Sequence, residues 1–233
     1  MSKVNTPQNT IGVVIAAAGT GQRFGGKTPK QFLKIKKKTV LEYSVRAFAK
    51  VREVQEIVVV APMDLIKRAE EIIEAIPFKG TKTVVAGGRE RQDSVRIGLH
   101  AFSVHPDFVL VHDAARPLIE PDVIRKVIAE LREYPAAVVG VKVKDTVKVE
   151  GQPGFFTSTL DRKRLWTVQT PQGFHFNILL DAHRKAKEES FLGTDEASLV
   201  ERLALPVRIV EGDKRNVKVT TQDDLDIVAE WIG

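Results

Sequence analysis

Residues 11–33 read IGVVIAAAGTGQRFGGKTPKQFL, and this stretch decides the fold class. Its first eight residues form a continuous apolar run, which is typical of a strand buried on both faces. The run passes directly into a loop that has glycines at 19, 21, 25 and 26 and the basic residues Arg23, Lys27 and Lys30. A glycine-rich backbone can bring its N–H groups close to an anion, and basic side chains add positive charge. The stretch therefore predicts a buried strand followed by a phosphate-binding loop.

The same alternation of apolar runs and amphipathic segments continues along the chain. Strands are predicted at 11–18, 56–62, 81–88, 107–117 (where the strand opens into a loop), 136–143, 205–212 and 216–221. Helices are predicted at 40–51, 62–76, 89–102, 120–134, 177–189, 194–203 and 222–232. Strands that alternate with helices imply right-handed crossovers and a mostly parallel sheet. We therefore expect an α/β fold whose ligand site lies at the carboxyl ends of the strands.

The alternation breaks at about 144–170, where polar and apolar residues alternate around the turn sequence GQPG. This pattern predicts a protruding β-hairpin, or arm. Because such an arm often packs on a second subunit, we expect a homodimer. Residues 1–10 are polar and are predicted to be a tail, and 11–233 are predicted to be a single domain with the arm as an insertion.

Composition excludes several classes of protein. The 233 residues contain no cysteine, which excludes disulfides and thiolate metal sites and fits a reducing cytoplasm. No apolar run approaches the roughly 20 residues that span a bilayer, and the first ten lack a signal-peptide core. The net charge is +6, but the charges are dispersed. The dense run KIKKK at 34–38 is more typical of a solvated turn than of a nucleic-acid site, so we expect neither nucleic-acid nor membrane partners.

Seven motifs carry a resemblance to a known family. They are AAAGTGQRFGGKTPKQF (16–32), GGRERQDSV (87–95), VHDAARP (111–117), KDT (144–146), TPQGF (170–174), TDEAS (194–198) and NVKVT (216–220). In this order they resemble the sugar-phosphate nucleotidyltransferases, and among these the 2-C-methyl-D-erythritol 4-phosphate cytidylyltransferases. The motifs span almost the whole chain, which makes the resemblance specific.

The resemblance implies a Rossmann-like α/β domain whose β-arm completes the active site of the second subunit. It also implies transfer of CMP from CTP to 2-C-methyl-D-erythritol 4-phosphate, with Mg²⁺ as cofactor and pyrophosphate as leaving group, in the non-mevalonate isoprenoid pathway. A cytidylyltransferase for another polyol phosphate, such as ribitol 5-phosphate, is the alternative acceptor class. AAAG and TDEAS favour the methylerythritol enzymes.

The resemblance also implies roles for individual residues. Catalytic cations are expected at Arg23, Lys30 and Lys218, and a metal ligand at Asp113. CTP contacts are expected at Ala17, Ala18, Gly19, Gly21, Gly88, Arg91, Ser94 and Ala114. Acceptor contacts are expected at Arg116, Thr146, Arg162, Thr170 and Thr194. His112 is predicted to be structural, because Mg²⁺ does not favour imidazole. The chain departs from the family at Arg89, where an acidic residue is common; this affects base contacts at that position, although recognition by the backbone could survive it.

Two other classes compete with the transferase. The α/β pattern is compatible with a dinucleotide-binding oxidoreductase, but the third glycine of the first loop falls one place late for the G-x-G-x-x-G fingerprint. A nucleotide-binding module without chemistry is the other alternative. The combination of Arg23, Lys30, Asp113 and Lys218 argues against it.

Overall fold

Seven strands form the central sheet within residues 9–19 and 28–232, which the computed structural model describes. The strands among these residues are β1 (Ile11–Ala16), β2 (Lys34–Ile35), β3 (Lys38–Thr39), β4 (Val54–Ala61), β5 (Thr81–Ala86), β6 (Phe108–Asp113), β7 (Ala136–Lys142), β8 (Lys148–Glu150), β9 (Phe156–Thr159), β10 (Trp166–His175) and β11 (Val207–Glu211). The helices are α1 (Val40–Ala49), α2 (Ile66–Glu74), α3 (Arg91–His100), α4 (Pro121–Glu130), α5 (Phe176–Glu188), α6 (Glu196–Glu201) and α7 (Gln222–Trp231).

The central sheet has the strand order β11-β7-β10-β6-β1-β4-β5. Neighbouring strands are parallel except at β10, which runs antiparallel to both β6 and β7. The predicted α/β fold with a mostly parallel sheet is confirmed. Because β1, β4, β5 and β6 are parallel, the loops at their carboxyl ends meet at one edge of the sheet.

The sheet is buried on both faces, which explains the apolar run that opens β1. Val13 and Ile15 pack into the core beside α1, α2 and α4, whereas Val14 packs into the core beside α3, α5 and α6. Gly98 allows α3 to approach the sheet closely, since a Cβ at this position would lie 2.7 Å from a methyl carbon of Val14. A strand with helices on both sides needs apolar residues at successive positions.

The arm is shorter than predicted, because the chain returns to the central sheet at Trp166, the first residue of β10. β8 and β9 form a separate two-stranded antiparallel hairpin, with Phe155 and Phe156 exposed at its end. Residues 166–170, which the sequence pattern assigned to the arm, lie in β10. The alternating pattern thus covers both the hairpin and the first half of a sheet strand.

Two other predictions differ from the structure. The segment 216–221 is a loop and not a strand, because its contacts are individual bonds such as Val219 N to Ala115 O at 2.8 Å rather than a ladder. Thr10, assigned to the tail, is held by Asp107: its N–H donates to Asp107 Oδ2 at 2.8 Å, and its hydroxyl accepts from Asp107 N at 2.9 Å. Residues 1–8 of the predicted tail lie outside the described residues. In the described ranges, no helix is both long enough and apolar enough to cross a membrane.

Candidate active site

The loops that follow β1, β5 and β6 border a cavity of about 410 Å³, the first cavity. This volume is within the range of small-ligand sites. The CTP residues predicted within the described ranges all line it, namely Ala17, Ala18, Gly19, Gly88, Arg91, Ser94 and Ala114. Lys30, Lys218 and Asp113 line it as well. Gly21 and Arg23 lie outside the described residues.

A buried glutamine binds the backbone directly after β1, at residues 17 and 19. Gln31 Nε2 donates to the carbonyl oxygens of Ala17 (2.5 Å) and Gly19 (2.9 Å), and its side chain also lines the first cavity. Gln31 and Lys30 belong to one short 3₁₀ turn, Lys30–Phe32. The same turn therefore holds the backbone of Ala17 and Gly19 and brings Lys30 to the cavity wall.

The loop after β5 approaches the loop after β1 very closely. A Cβ on Gly87 would lie 2.3 Å from Ala18 Cβ, so only glycine allows this approach. Ser94 Oγ accepts from Gly88 N and donates to Glu90 O, both at 3.1 Å. Arg89 is exposed and lines the first cavity beside Gly88.

Four alternating charges connect the interior to the cavity. Arg91 Nη1 donates to both carboxylate oxygens of Glu196 at 2.8 Å, and Arg91 Nε donates to Asp113 Oδ1 at 3.0 Å. Lys218 Nζ completes the series at 2.7 Å from Asp113 Oδ2. The two ends of the series differ in burial: the Glu196 side chain is 1% exposed, and the Lys218 side chain is 38% exposed.

This arrangement shifts the pKa values of three of these groups, Asp113, Arg91 and Glu196. Burial alone would raise the pKa of Asp113, but Arg91 and then Lys218 outweigh it and hold that pKa well below its ordinary value. Burial would lower the pKa of Arg91, but Glu196 and Asp113 raise it, so Arg91 is always charged. Burial raises the pKa of Glu196 above its ordinary value, against the attraction of Arg91.

His112 is structural, as predicted from its residue type. Its Nε2 lies 3.1 Å from Arg116 O, which can only accept, so Nε2 carries the proton. Its Nδ1 then accepts from the Thr170 hydroxyl at 3.0 Å, and that hydroxyl accepts from Asp113 N at 3.1 Å. Burial lowers the pKa of His112 to about 3, which keeps the ring neutral. His112 and Thr170 together fix the backbone of Asp113.

Lys218 lies in the loop 216–221, which is held by hydrogen bonds from side chains. Asn216 Nδ2 donates to Thr170 O at 2.9 Å, and Arg116 Nη1 donates to Asn216 O at 2.7 Å. Burial lowers the pKa of Arg116, which is one of the predicted acceptor residues. These bonds replace the strand pairing that the sequence pattern predicted for this segment.

A smaller second cavity of about 190 Å³ adjoins the first. Three of the predicted acceptor residues, Arg116, Thr170 and Thr194, line it. Arg91, Asp113 and Lys218 line both cavities, so their charged groups form the wall between the two.

The other two predicted acceptor residues lie on the arm. Thr146 is exposed between β7 and β8, and Arg162 is exposed in a 3₁₀ turn, where its Nη1 donates to Lys144 O at 2.7 Å. Neither residue lines either cavity of its own subunit.

Sequence reasoning missed several residues of the site. Gln31 stands next to Lys30, and Gln172, Asp195 and Glu196 stand inside the TPQGF and TDEAS motifs, so the motifs themselves contained the signal. Their partners are far away in the sequence: Glu196 binds Arg91 across 105 positions. Only the tertiary structure reveals such pairs.

Comparison with known proteins identifies the family. The family model of IspD, 2-C-methyl-D-erythritol 4-phosphate cytidylyltransferase, matches residues 11–232. The chain belongs to this family. A 2-C-methyl-D-erythritol 4-phosphate cytidylyltransferase from Caldanaerobacter subterraneus is 42% identical over 221 residues, which cover 94% of this chain and 97% of the relative. One from Symbiobacterium thermophilum is 45% identical over 217 residues, which cover 93% and 90%.

Solved structures give the same result. The crystal structure of 4-diphosphocytidyl-2C-methyl-D-erythritol synthase from Anaerococcus prevotii has a TM-score of 0.86 at 29% identity and covers 97% of this chain and 99% of that one. The 2-C-methyl-D-erythritol 4-phosphate cytidylyltransferase of Thermus thermophilus has a TM-score of 0.76 at 33% identity, with coverage of 96% and 98%. The protein is therefore an enzyme of the nucleotidyltransferase type, as the sequence motifs predicted, and the oxidoreductase alternative is excluded.

Proposed function

We propose that the first cavity binds CTP, that the second receives the acceptor phosphate, and that CMP passes between them. The acceptor is 2-C-methyl-D-erythritol 4-phosphate, and the products are 4-diphosphocytidyl-2-C-methyl-D-erythritol and pyrophosphate. One observation carries this proposal: Arg91, Asp113 and Lys218 line both cavities. A reaction that joins two phosphates needs fixed charge at the point where the two substrates meet. Absence of cysteine supports a cytoplasmic setting.

The reaction makes limited demands on the protein. An oxygen of the acceptor phosphate attacks the α-phosphorus of CTP, the bond from that phosphorus to the α–β bridging oxygen breaks, and pyrophosphate leaves. No general base is needed, because a phosphate monoester is already largely dianionic at neutral pH. The difficulty is repulsion between two polyanions and extra charge at the phosphorus. Lys30 and Lys218 on the cavity walls supply the opposing charge, and the family resemblance adds Arg23.

Small residues suit the nucleotide side of the site. Ala17, Ala18, Gly19 and Gly88 line the first cavity and leave the backbone accessible to base and phosphates. Ser94 Oγ accepts from Gly88 N and so holds this part of the backbone in place. Recognition of cytosine by main-chain groups is compatible with Arg89, whose side chain is exposed.

The donor set fits Mg²⁺ if the nucleotide supplies most of the ligands. Within the described ranges no group of three or more His, Cys, Asp or Glu side chains is arranged to hold a metal. Asp113 nevertheless offers a carboxylate with a strongly lowered pKa in the wall of the first cavity. Mg²⁺ is commonly held by one or two carboxylates with substrate phosphates and water. Asp113 would hold the ion, which would neutralise charge on the triphosphate.

The acceptor side is proposed to be shared between two subunits. Arg116, Thr170 and Thr194 come from the subunit that binds CTP, whereas Thr146 and Arg162 lie on the arm and would act on the partner's site. The exposed Phe155 and Phe156 on the hairpin support an arm that packs on another chain.

Mixing two inactive variants tests the shared site. Arg162→Ala removes an arm residue and Lys218→Ala removes a residue of the cavity wall. In a hybrid dimer one site carries both lesions and the other none, so random exchange should restore about a quarter of the wild-type activity. Mixtures that stay inactive after verified subunit exchange would refute the shared site.

The substrate is tested by pyrophosphate release from CTP and Mg²⁺, with 2-C-methyl-D-erythritol 4-phosphate or ribitol 5-phosphate as acceptor. Release with the first alone is the expected result. Release with ribitol 5-phosphate alone would keep the mechanism and overturn the acceptor. ATP, GTP and UTP in place of CTP test the base in the same assay.

A further inference from the structure

A buried glutamate lies behind the wall that separates the two cavities. The Glu196 side chain is 1% exposed and lines neither cavity. Among the described residues, Arg91 is the hydrogen-bond partner of its carboxylate, with Nη1 at 2.8 Å from both oxygens. A carboxylate is rarely buried so completely unless it is paired with a cation, because its desolvation is unfavourable.

The backbone around Glu196 is held rigidly. Gln172 Nε2 donates to Asp195 Oδ2 at 2.7 Å, and Gln172 Oε1 accepts from Ala197 N at 3.1 Å. Gln172 therefore clamps the residues immediately before and after Glu196 onto β10. Asp195 Oδ1 also accepts from Ser198 N at 2.9 Å. The glutamate consequently presents its carboxylate from a fixed point.

Glu196 is connected to Asp113 through the guanidinium of Arg91. With Nη1 bound to Glu196, Arg91 directs Nε to Asp113 Oδ1 at 3.0 Å. The side chain of Arg91 remains 31% exposed, and that part lines both cavities. If Nη1 lost its anchor, the long side chain of Arg91 would gain rotamers, and Asp113 would lose a fixed partner.

We propose that Glu196 is a positioning residue for cytidylyl transfer: it anchors Arg91 so that Arg91 fixes Asp113 and the wall between nucleotide and acceptor. This inference rests on the proposed function of the two cavities. Glu196 touches neither substrate and acts only through Arg91. Its charge also offsets that of Arg91, so Glu196→Gln leaves the site more positive and does not weaken attraction of CTP.

Glu196→Gln should change kcat and CTP binding differently, which separates the anchoring of Arg91 from the attraction of CTP. Loss of the anchor lowers kcat by about 10²-fold, the scale for a displacement of roughly 1 Å in a reacting group. KM and Kd for CTP stay near the wild-type values or fall, because positive charge is retained. Glu196→Asp keeps the charge but is one methylene shorter, so it restores part of kcat.

Glu56→Gln is the matched control. Glu56 is also buried, but its carboxylate accepts from Ser103 N and Oγ, away from the cavities. Both Gln variants replace a buried carboxylate and lose stability. Rates are compared at a temperature where thermal unfolding shows every variant to be folded. Glu56→Gln retains the wild-type kcat.

A double-mutant cycle then asks whether Glu196 acts through Arg91. The variants are Arg91→Gln and Arg91→Gln/Glu196→Gln; the double variant is a neutral pair that keeps the site folded even if Glu196→Gln alone does not. Equal kcat in the two variants supports the proposal, because a residue that acts through another adds nothing once that other is gone.

Other results would overturn it. A folded Glu196→Gln enzyme with wild-type kcat would refute the positioning role while leaving cytidylyl transfer intact. A double variant that is slower than Arg91→Gln would show an effect that bypasses Arg91. Wild-type protein that releases no pyrophosphate from CTP would refute the proposed function and the positioning role with it.

Discussion

Replacing Lys218 by alanine probes the cation between the two proposed substrates. Lys218 Nζ lies 2.7 Å from Asp113 Oδ2, and its side chain lines both cavities. If this ammonium stabilises charge that develops at the α-phosphorus, its removal lowers kcat by about 10²–10³-fold, the range for loss of one preorganised donor. The corresponding increase in the activation free energy is about 2.7–4 kcal/mol.

The fold should tolerate the same change. Asp113 keeps its bond from Arg91 Nε, and the Lys218 side chain is 38% exposed, so its ion pair is partly screened by solvent. Such a pair contributes about 1 kcal/mol at most to the free energy of unfolding. For a chain of this size that amounts to a decrease in Tm of about 2–4 °C.

The assay measures pyrophosphate release at saturating CTP and acceptor, with thermal unfolding of the same samples. Lys187→Ala is the control, since it removes one positive charge from an exposed position in the last turn of α5. It should leave kcat and KM unchanged. A Lys218→Ala enzyme with a rate close to that of the wild type would refute the catalytic role. A large decrease in Tm would show that the lysine is structural.

Three further predictions concern the surroundings of the site. Gln31→Ala frees the two carbonyl oxygens that its amide holds at 2.5 and 2.9 Å, so KM for CTP should rise; an unchanged KM would contradict the loop-shaping role. Thr170→Val removes the hydroxyl that accepts from Asp113 N at 3.1 Å, so steady-state kinetics should show a lower kcat with both substrates saturating. The control variant Thr170→Ser keeps the hydroxyl and should retain activity. A rise in KM for the acceptor alone would mean that Thr170 only binds the acceptor. Burial lowers the pKa of His183 to about 4, from an ordinary value near 6.5. Between these two pH values the unfolded chain binds more protons than the folded protein. The free energy of unfolding should therefore fall by about 1.4 kcal/mol for each pH unit as the pH decreases from about 6.5 to about 4. His183→Leu should flatten that slope in denaturant titrations at pH 7 and pH 5, and an unaltered slope would rule out this residue as its source.

The parallel strands were predictable because local sequence reports two-sided burial. Val13, Val14 and Ile15 are consecutive and apolar, and the structure buries them in cores on opposite faces of the sheet. β10 carries no such signal, although Gln169, Thr170 and Gln172 are buried in it. Hydrogen bonds from distant residues satisfy these polar side chains. A strand of this kind resembles an exposed hairpin in its sequence pattern, which is why the arm was predicted too long.

The candidate site divides in the same way. Residues such as Gly88 and Asp113 directly follow or end parallel strands, so topology alone brings them to one edge. Glu196 and Gln31 act through single long-range or loop-specific bonds, for which neither periodicity nor composition gives a signal. The prediction of a strand at 216–221 was wrong for a related reason. Its β-branched residues favour a strand, but single bonds hold it, such as those from Asn216 Nδ2 to Thr170 O and from Arg116 Nη1 to Asn216 O.

The central claim is that the two adjoining cavities hold the two substrates of one transfer. A crystal structure of the complex with the acceptor and a CTP analogue, in which a methylene replaces the α–β bridging oxygen, tests it most directly. We predict the triphosphate in the first cavity, its α-phosphorus beside Lys218, and an acceptor phosphate oxygen in line at about 3–3.5 Å. A nucleotide bound outside the first cavity, or an acceptor bound away from the wall of Arg91, Asp113 and Lys218, would contradict the account.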